Sequence, residues 1–321
     1  MDKRRELFRK HYEHYDIRKT AIERKYYHSL RVMDLSILIS RYLGLDDKDI
    51  TLASIIGLLH DYARFEQWTK YKTYSDKDSI DHGDLAVKRL FENKEIVDYD
   101  LDVNDYDTVY TAIKYHNKIA IPYSLGNRSK LFCKIIRDAD KLDIFYLRTN
   151  KSLVKEGGDI SLKVEEDFFN EQSINKMNVM SYNDEIISVL AMIYDLNFDY
   201  CYEYLDKSQL IWKMYSVLED KKRFEKYFDY IDKYIKRSGT YIYKENSNEK
   251  YKHFELIEYL LCNYPFYVLP ELKKLKKLSD VIIKNIVKKI PDELLTEKHK
   301  EYIIDYVIKR RNILLELGNI G

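Results

Sequence analysis

Five stretches in the first half of this chain carry side chains of the kind that bind a divalent metal: His28, the adjacent pair His60 and Asp61, His82, His116, and one aspartate among Asp138, Asp140 and Asp143. Imidazole nitrogen mixed with carboxylate oxygen suits manganese, iron, cobalt, nickel or zinc better than calcium or magnesium. Neighbouring residues on a helix diverge by about 100°, so His60 could serve one metal while the Asp61 carboxylate reaches toward a second. The order His, His-Asp, His, His, Asp is what an all-helical centre for divalent metals would need, and it points to metal-assisted chemistry on a phosphoester. A single core-facing histidine is more often simply hydrogen-bonded to a neighbour. The conjunction on separate helical stretches is what carries the metal reading.

Helices must bring these residues together. Only 4 prolines and 9 glycines interrupt the chain, and apolar residues recur at i, i+3, i+4 and i+7 from end to end, so the fold is read as all-α. Leu52, Ile55, Ile56 and Leu59 form one core-facing stripe, Val109, Ala112 and Ile113 a second, and Ile135, Ile136 and Ala139 a third. His60 lies four residues after Ile56, His116 four after Ala112, Asp140 four after Ile136, and His28 four before Val32. Residues four apart share a helix face, so these polar groups point inward with the aliphatics. Burying them is costly unless something satisfies them, and a cation would satisfy all at once.

Between the candidate ligands, Gln67 to His82 reads as a loop overhanging the site, Asn117 to Asn127 as a second break, and Gly157-Gly158-Asp159 as a third. From about 160 to 238 the pattern is again amphipathic and helical, as in Ile186, Leu190 and Ile193. Ser238-Gly239 and the polar run Lys244 to Lys252 read as a linker. Two domains follow: 1–238, with its motif core at 20–150, and a C-terminal helical extension at 239–321. In that extension Leu272, Leu275, Leu278, Ile282, Ile286 and Ile290 alternate with lysines, which suggests a packed accessory helix with a solvated lysine face rather than a membrane-surface or partner helix. His11 and His14 sit in a highly charged segment and read as surface residues; His253 and His299 have no context.

Composition narrows the classes further. Lys plus Arg (55) nearly balances Asp plus Glu (54), so no global field would hold a nucleic acid. Cys133, Cys201 and Cys262 are odd in number and widely spaced, which argues against a disulfide framework or a cysteine zinc site. The N-terminal segment has no apolar h-region and no apolar run approaches about 18 residues. A cytoplasmic protein without a membrane span is expected. The 31 tyrosines are spread along the whole chain and do not mark a base-stacking platform.

The segments KYYHSLRV, GLLHDYARFEQ, DHGDLAVKRL, IKYHN and IIRDADKLDIF resemble the HD-domain superfamily of metal-dependent phosphohydrolases, over roughly 20 to 150 with a weaker helical continuation to about 238. The resemblance implies a helical bundle in which His28, His60, Asp61 and Asp140 hold one metal, and Asp61, His82 and His116 a second. Asp140 is selected by the family's Ala-Asp at the last ligand, with Asp143 as the fallback. Arg64 is implied as a phosphate clamp; the competing reading is an ion pair with Glu66 or a loop aspartate. Lys141, beside Asp140, is a second candidate, with a structural role as the commoner explanation. Asp61, Arg64 and Lys141 are thus the candidate catalytic residues.

The chain departs from the cyclic-dinucleotide phosphodiesterases in lacking their Gly-Tyr-Pro signature and in having Asn117 where they carry a second histidine. The implied activity is hydrolysis of a phosphomonoester or phosphodiester, in a nucleotide or another small phosphorylated metabolite. A hydroxide bridging two metals would be the nucleophile; Lys141, Asp84 and water are open as the leaving-group acid. Two other readings share the ligand order: an HD-fold di-iron oxygenase, and a non-catalytic metal-binding sensor or scaffold that uses the helices after 240.

Overall fold

The computed structural model describes residues 3–239, 274–275, 277–290 and 297–317, and among them there is no strand. The all-α expectation holds. The chain divides into two compact units, Met1–Gly239 and Thr240–Gly321.

In the first unit, α1 (Lys3–Glu13), α2 (Thr20–Tyr42), α3 (Asp47–Leu59), α4 (Arg64–Tyr71), α5 (His82–Val87), α6 (Tyr106–Tyr115) and α7 (Asn127–Leu147) precede α8 (Leu162–Phe169), α9 (Tyr182–Ala191), α10 (Asp199–Ser208), α11 (Leu210–Ser216) and α12 (Lys221–Gly239). Helix α3 is the centre of the bundle. Asp46 caps it by accepting from the Asp49 amide at 2.8 Å, and every residue from Leu52 to Leu59 is buried, the signature of a helix covered on all sides. Helices α2, α6 and α7 pack around it. The three apolar stripes read in the sequence all lie in this core.

Gly57 sets how closely α2 and α3 approach. A Cβ there would come within 2.7 Å of Ser36 Oγ, 2.8 Å of Met33 Cα and 3.0 Å of the Val32 carbonyl oxygen. No larger residue fits without moving one helix away from the other.

Two local expectations are corrected. The segment read as a loop from Gln67 is helical through Tyr71, because Phe65 and Gln67 are both buried and hold this turn against the core. The helix stops where Lys72 takes a left-handed conformation, φ 58°. His11 is no surface residue: its ring stacks on Tyr62 at 3.8 Å between centroids, and its Nε2 lies 3.1 Å from the Tyr62 carbonyl oxygen. His14 is exposed.

In the second unit, α13 (Asp280–Lys288) is capped by Ser279 and packs on α14 (Glu297–Leu317). Its buried residues are Ile283 and Val287, whereas Ile282 and Ile286 are 42% and 55% exposed. The inward face is therefore one residue round from the stripe expected. Leu272, the run 244–252, His253 and Cys262 lie outside the described residues. Cys133 and Cys201 are buried free thiols. No helix among the described residues is long and apolar enough to cross a membrane.

Candidate metal centre

Five helices deliver the candidate ligands to one place. His28 lies inside α2 and Asp140 inside α7, His60 follows the last residue of α3, His82 opens α5, and His116 follows the last residue of α6. Asp61 occupies the turn between α3 and α4. Helix ends are natural positions here, since a side chain leaving the last turn reaches past the packed stripe toward neighbouring helices.

The groups form two triads that meet at one carboxylate: His28, His60 and Asp61 on one side, and Asp61, His82 and His116 on the other. Asp61 Oδ2 is 3.3 Å from His28 Nε2 and 3.5 Å from His60 Nε2. Its other oxygen, Oδ1, is 3.5 Å from His82 Nε2 and 3.8 Å from His116 Nε2. Asp140 joins the first side, with Oδ1 3.2 Å from His28 Nε2 and 3.9 Å from His60 Nε2. All four histidines and Asp61 are buried.

Hydrogen bonds behind the rings decide which nitrogen faces the centre. His60 Nδ1 lies 2.8 Å from the Gly57 carbonyl oxygen and His116 Nδ1 2.6 Å from that of Ile113. A carbonyl only accepts, so each Nδ1 carries a proton, and in the neutral ring Nε2 is left with a lone pair. His28 Nδ1 meets Asp143 Oδ2 at 2.6 Å, and His82 Nδ1 meets Asp76 Oδ2 at 2.6 Å. The four Nε2 atoms then face each other, His28 to His60 at 3.2 Å and His82 to His116 at 2.9 Å. With Nδ1 engaged, each ring in its neutral form turns an Nε2 lone pair toward the centre, and this donor set fits a divalent metal.

The electrostatics follow the same geometry. Burial is the largest single influence on His28 and opposes its charge, as does Lys25, yet Asp140, Asp143 and Asp61 together outweigh them and raise its pKa to about 10. Burial likewise opposes ionisation of Asp61, but Lys25, His60 and Arg64 hold its carboxyl well below the usual range. On the other side, burial lowers His82 and His116, reinforced by Arg64 for the former and by the neighbouring histidines for the latter.

The three aspartates of the α7 motif separate cleanly. Asp140 faces the histidines. Asp143 stands behind His28 and is also gripped by Arg31 Nε at 2.5 Å. Asp138 points away, accepting from the amides of Asn197 (2.8 Å) and Phe198 (3.1 Å) at the start of α10.

Arg64 Nε donates to Asp61 Oδ1 at 3.2 Å, and its Nη1 to Gln67 Oε1 (2.6 Å), the Tyr74 carbonyl oxygen (2.8 Å) and Asp76 Oδ1 (3.1 Å). Its acidic partners are thus Asp61 and a loop aspartate, while Glu66 pairs with Arg89. Lys141 bonds Asp195, at 2.8 Å to the carbonyl oxygen and 2.7 Å to Oδ2. Asp84 is half-exposed and pairs with Lys118.

Sequence reasoning missed Lys25, Asp76 and the orienting role of Asp143. Lys25 Nζ donates to Asp61 Oδ2 at 2.6 Å. Its signal was present: Lys25 stands three residues before His28, on the same face of α2.

A family model of the HD domain matches residues 26–144. No curated protein and no solved structure matches the chain. The matched span runs from just before His28 to just past Asp143 and so takes in both triads and Asp140. It is over residues 26–144 that this chain is similar to the HD domain.

Proposed function

We propose that the protein is a metal-dependent phosphohydrolase acting on a phosphomonoester or phosphodiester, in a nucleotide or another small phosphorylated metabolite. His28, His60, Asp61 and Asp140 would hold one divalent transition metal, and Asp61, His82 and His116 a second. The observation that carries this reading is the division of Asp61, one oxygen toward each pair of histidines. Such metals supply a water acidic enough to ionise near neutral pH and positive charge for the phosphoryl oxygens.

The protein's own groups do the rest. The carbonyls of Gly57 and Ile113 and the carboxylates of Asp76 and Asp143 fix each ring with Nε2 inward. Arg64 holds the plane of Asp61 through Nε and keeps Nη2 without a hydrogen bond among the described residues, so it retains donors for a phosphoryl oxygen. Lys141, committed to Asp195, is read as a brace for α7, which leaves solvent as the proton source for the leaving group.

The test is metal content per chain after anaerobic purification, for the parent and for His82→Ala. About two metals falling toward one would support the paired centre and lead to a screen of phosphoesters with the reconstituted metals. Oxygen consumption with no phosphate release would overturn the hydrolase reading.

A further inference from the structure

Lys25 carries no role in the reading above, yet it is the nearest cation to the His28 side of the centre. It lies one helical turn before His28 on α2, and its Nζ sits 2.6 Å from Asp61 Oδ2. Arg64 makes the matching contact with Asp61 Oδ1. Each oxygen of the shared carboxylate is therefore covered by one cation. Both cations also lie against the ring of Tyr74, 5.6 Å from its centroid, and Tyr74 is tied to α2 through its hydroxyl and the Ala21 carbonyl oxygen at 2.8 Å.

The two cations differ in what they have to spare. Arg64 is held by Gln67, Tyr74 and Asp76 as well as by Asp61. Lys25 bonds Asp61 alone among the described residues, which uses one of the three donors of an ammonium. Its side chain is 18% exposed against 3% for Asp61, so the lysine stands nearer to solvent than the carboxylate it covers.

We propose that Lys25 is a phosphate-binding residue for the His28 side of the centre, kept in place by Asp61 Oδ2 until a metal takes over that oxygen. The proposal rests on the paired metal centre described above. Lys25 covers the Asp61 oxygen that a metal held by His28, His60, Asp61 and Asp140 would draw on, so its ammonium would be released from that contact when the site is filled. The released ammonium would meet a phosphoryl oxygen as a point charge, with Arg64 at the other Asp61 oxygen. The ligand class is a phosphate group, whose oxygens accept from an ammonium as well as from a guanidinium.

The experiment compares the full chain with Lys25→Gln and Lys25→Arg, reading metals bound per chain, metal affinity, and binding of inorganic phosphate to the loaded protein by calorimetry. Lys25→Gln should keep the metal content, bind metal at least as tightly as the parent, and bind phosphate roughly 10- to 100-fold more weakly. Lys25→Arg should restore most of that affinity. Phosphate affinity unchanged in Lys25→Gln at full metal content would overturn the proposal. So would a Lys25→Gln chain that loses metal affinity, because a lysine that merely oriented Asp61 as a ligand would behave that way. A parent chain that takes up no metal would instead overturn the metal reading, and the proposal with it.

Discussion

Asp143 accepts from Nδ1 of His28 at 2.6 Å, across 115 positions of sequence, and so presents the opposite nitrogen of that imidazole to the centre. Asp143 stands outside the ring of inward-facing atoms while Asp140, three residues earlier, stands within it. One turn of α7 thus supplies both a carboxylate facing the histidines and the partner that orients one of them. Replacing Asp143 with alanine should leave the fold in place and weaken metal binding roughly 10- to 100-fold, as loss of such outer partners does elsewhere. A metal titration of the variant would show it, and an unchanged affinity would count against the orienting role.

Metal uptake should release protons. In the metal-free protein the carboxylates around His28 raise its pKa to about 10, so the ring is charged at neutral pH. A metal needs the neutral ring. At pH 7.5 about one proton per chain should leave as the first side fills. Calorimetric titration in buffers of different ionisation enthalpy would count it, and a count near zero would mean that His28 is already neutral.

Gly57→Ala should be destabilising. The added Cβ meets Ser36 Oγ at 2.7 Å and the α2 backbone at 2.8 Å, and backbone does not yield as a flexible side-chain end does. Overpacking of this kind costs about 1–3 kcal/mol. The melting temperature should fall by several degrees, and metal affinity should fall with it, since His60 hangs from the Gly57 carbonyl.

His11 gives the fold a weakness toward acid. Burial pulls its pKa from 6.5 down to about 4, against the opposing hydrogen bond with Tyr62. A depressed pKa means that the folded state holds the neutral ring, so this contribution is complete above about pH 6.5 and is lost as pH falls toward 4 and below. His11→Phe keeps a ring against Tyr62 and cannot be protonated. Urea unfolding between pH 4 and 7.5 should show a stability difference between parent and variant that shifts in favour of the variant as the solution is acidified. A constant difference would mean that folding leaves the affinity of His11 for a proton unchanged.

What the sequence revealed and what it hid have separate physical causes. His28, His60, His116 and Asp140 were visible because each stands four residues from an apolar neighbour, and a 3.6-residue period forces both to one face. Asp143 and Asp76 were invisible as partners of His28 and His82, since nothing local distinguishes them from any acidic residue on a helix or in a loop. His11 was hidden by the charged residues around it, although Phe8, three positions earlier and fully buried, marks the same inward face. In α13, Ile282 with Ile286 and Ile283 with Val287 have identical spacing. Only the packing of α14 selects the second pair.

Gln67 has a consequence for access. Fully buried, it donates to Asp76 Oδ1, Ser79 Oγ and the Ile80 carbonyl oxygen, and it accepts from Arg64. The segment from 72 to 81 is thereby riveted to the turn that carries Asp61, and its Asp76 sets the orientation of His82. Swinging this segment outward would strip His82 of its partner and strand a buried amide, so it is a fixed wall rather than a lid. Solvent reaches the rim of the centre at three side chains, Asp76 in this wall, 28% exposed, Asp140 on α7, 21%, and Lys25 on α2, 18%.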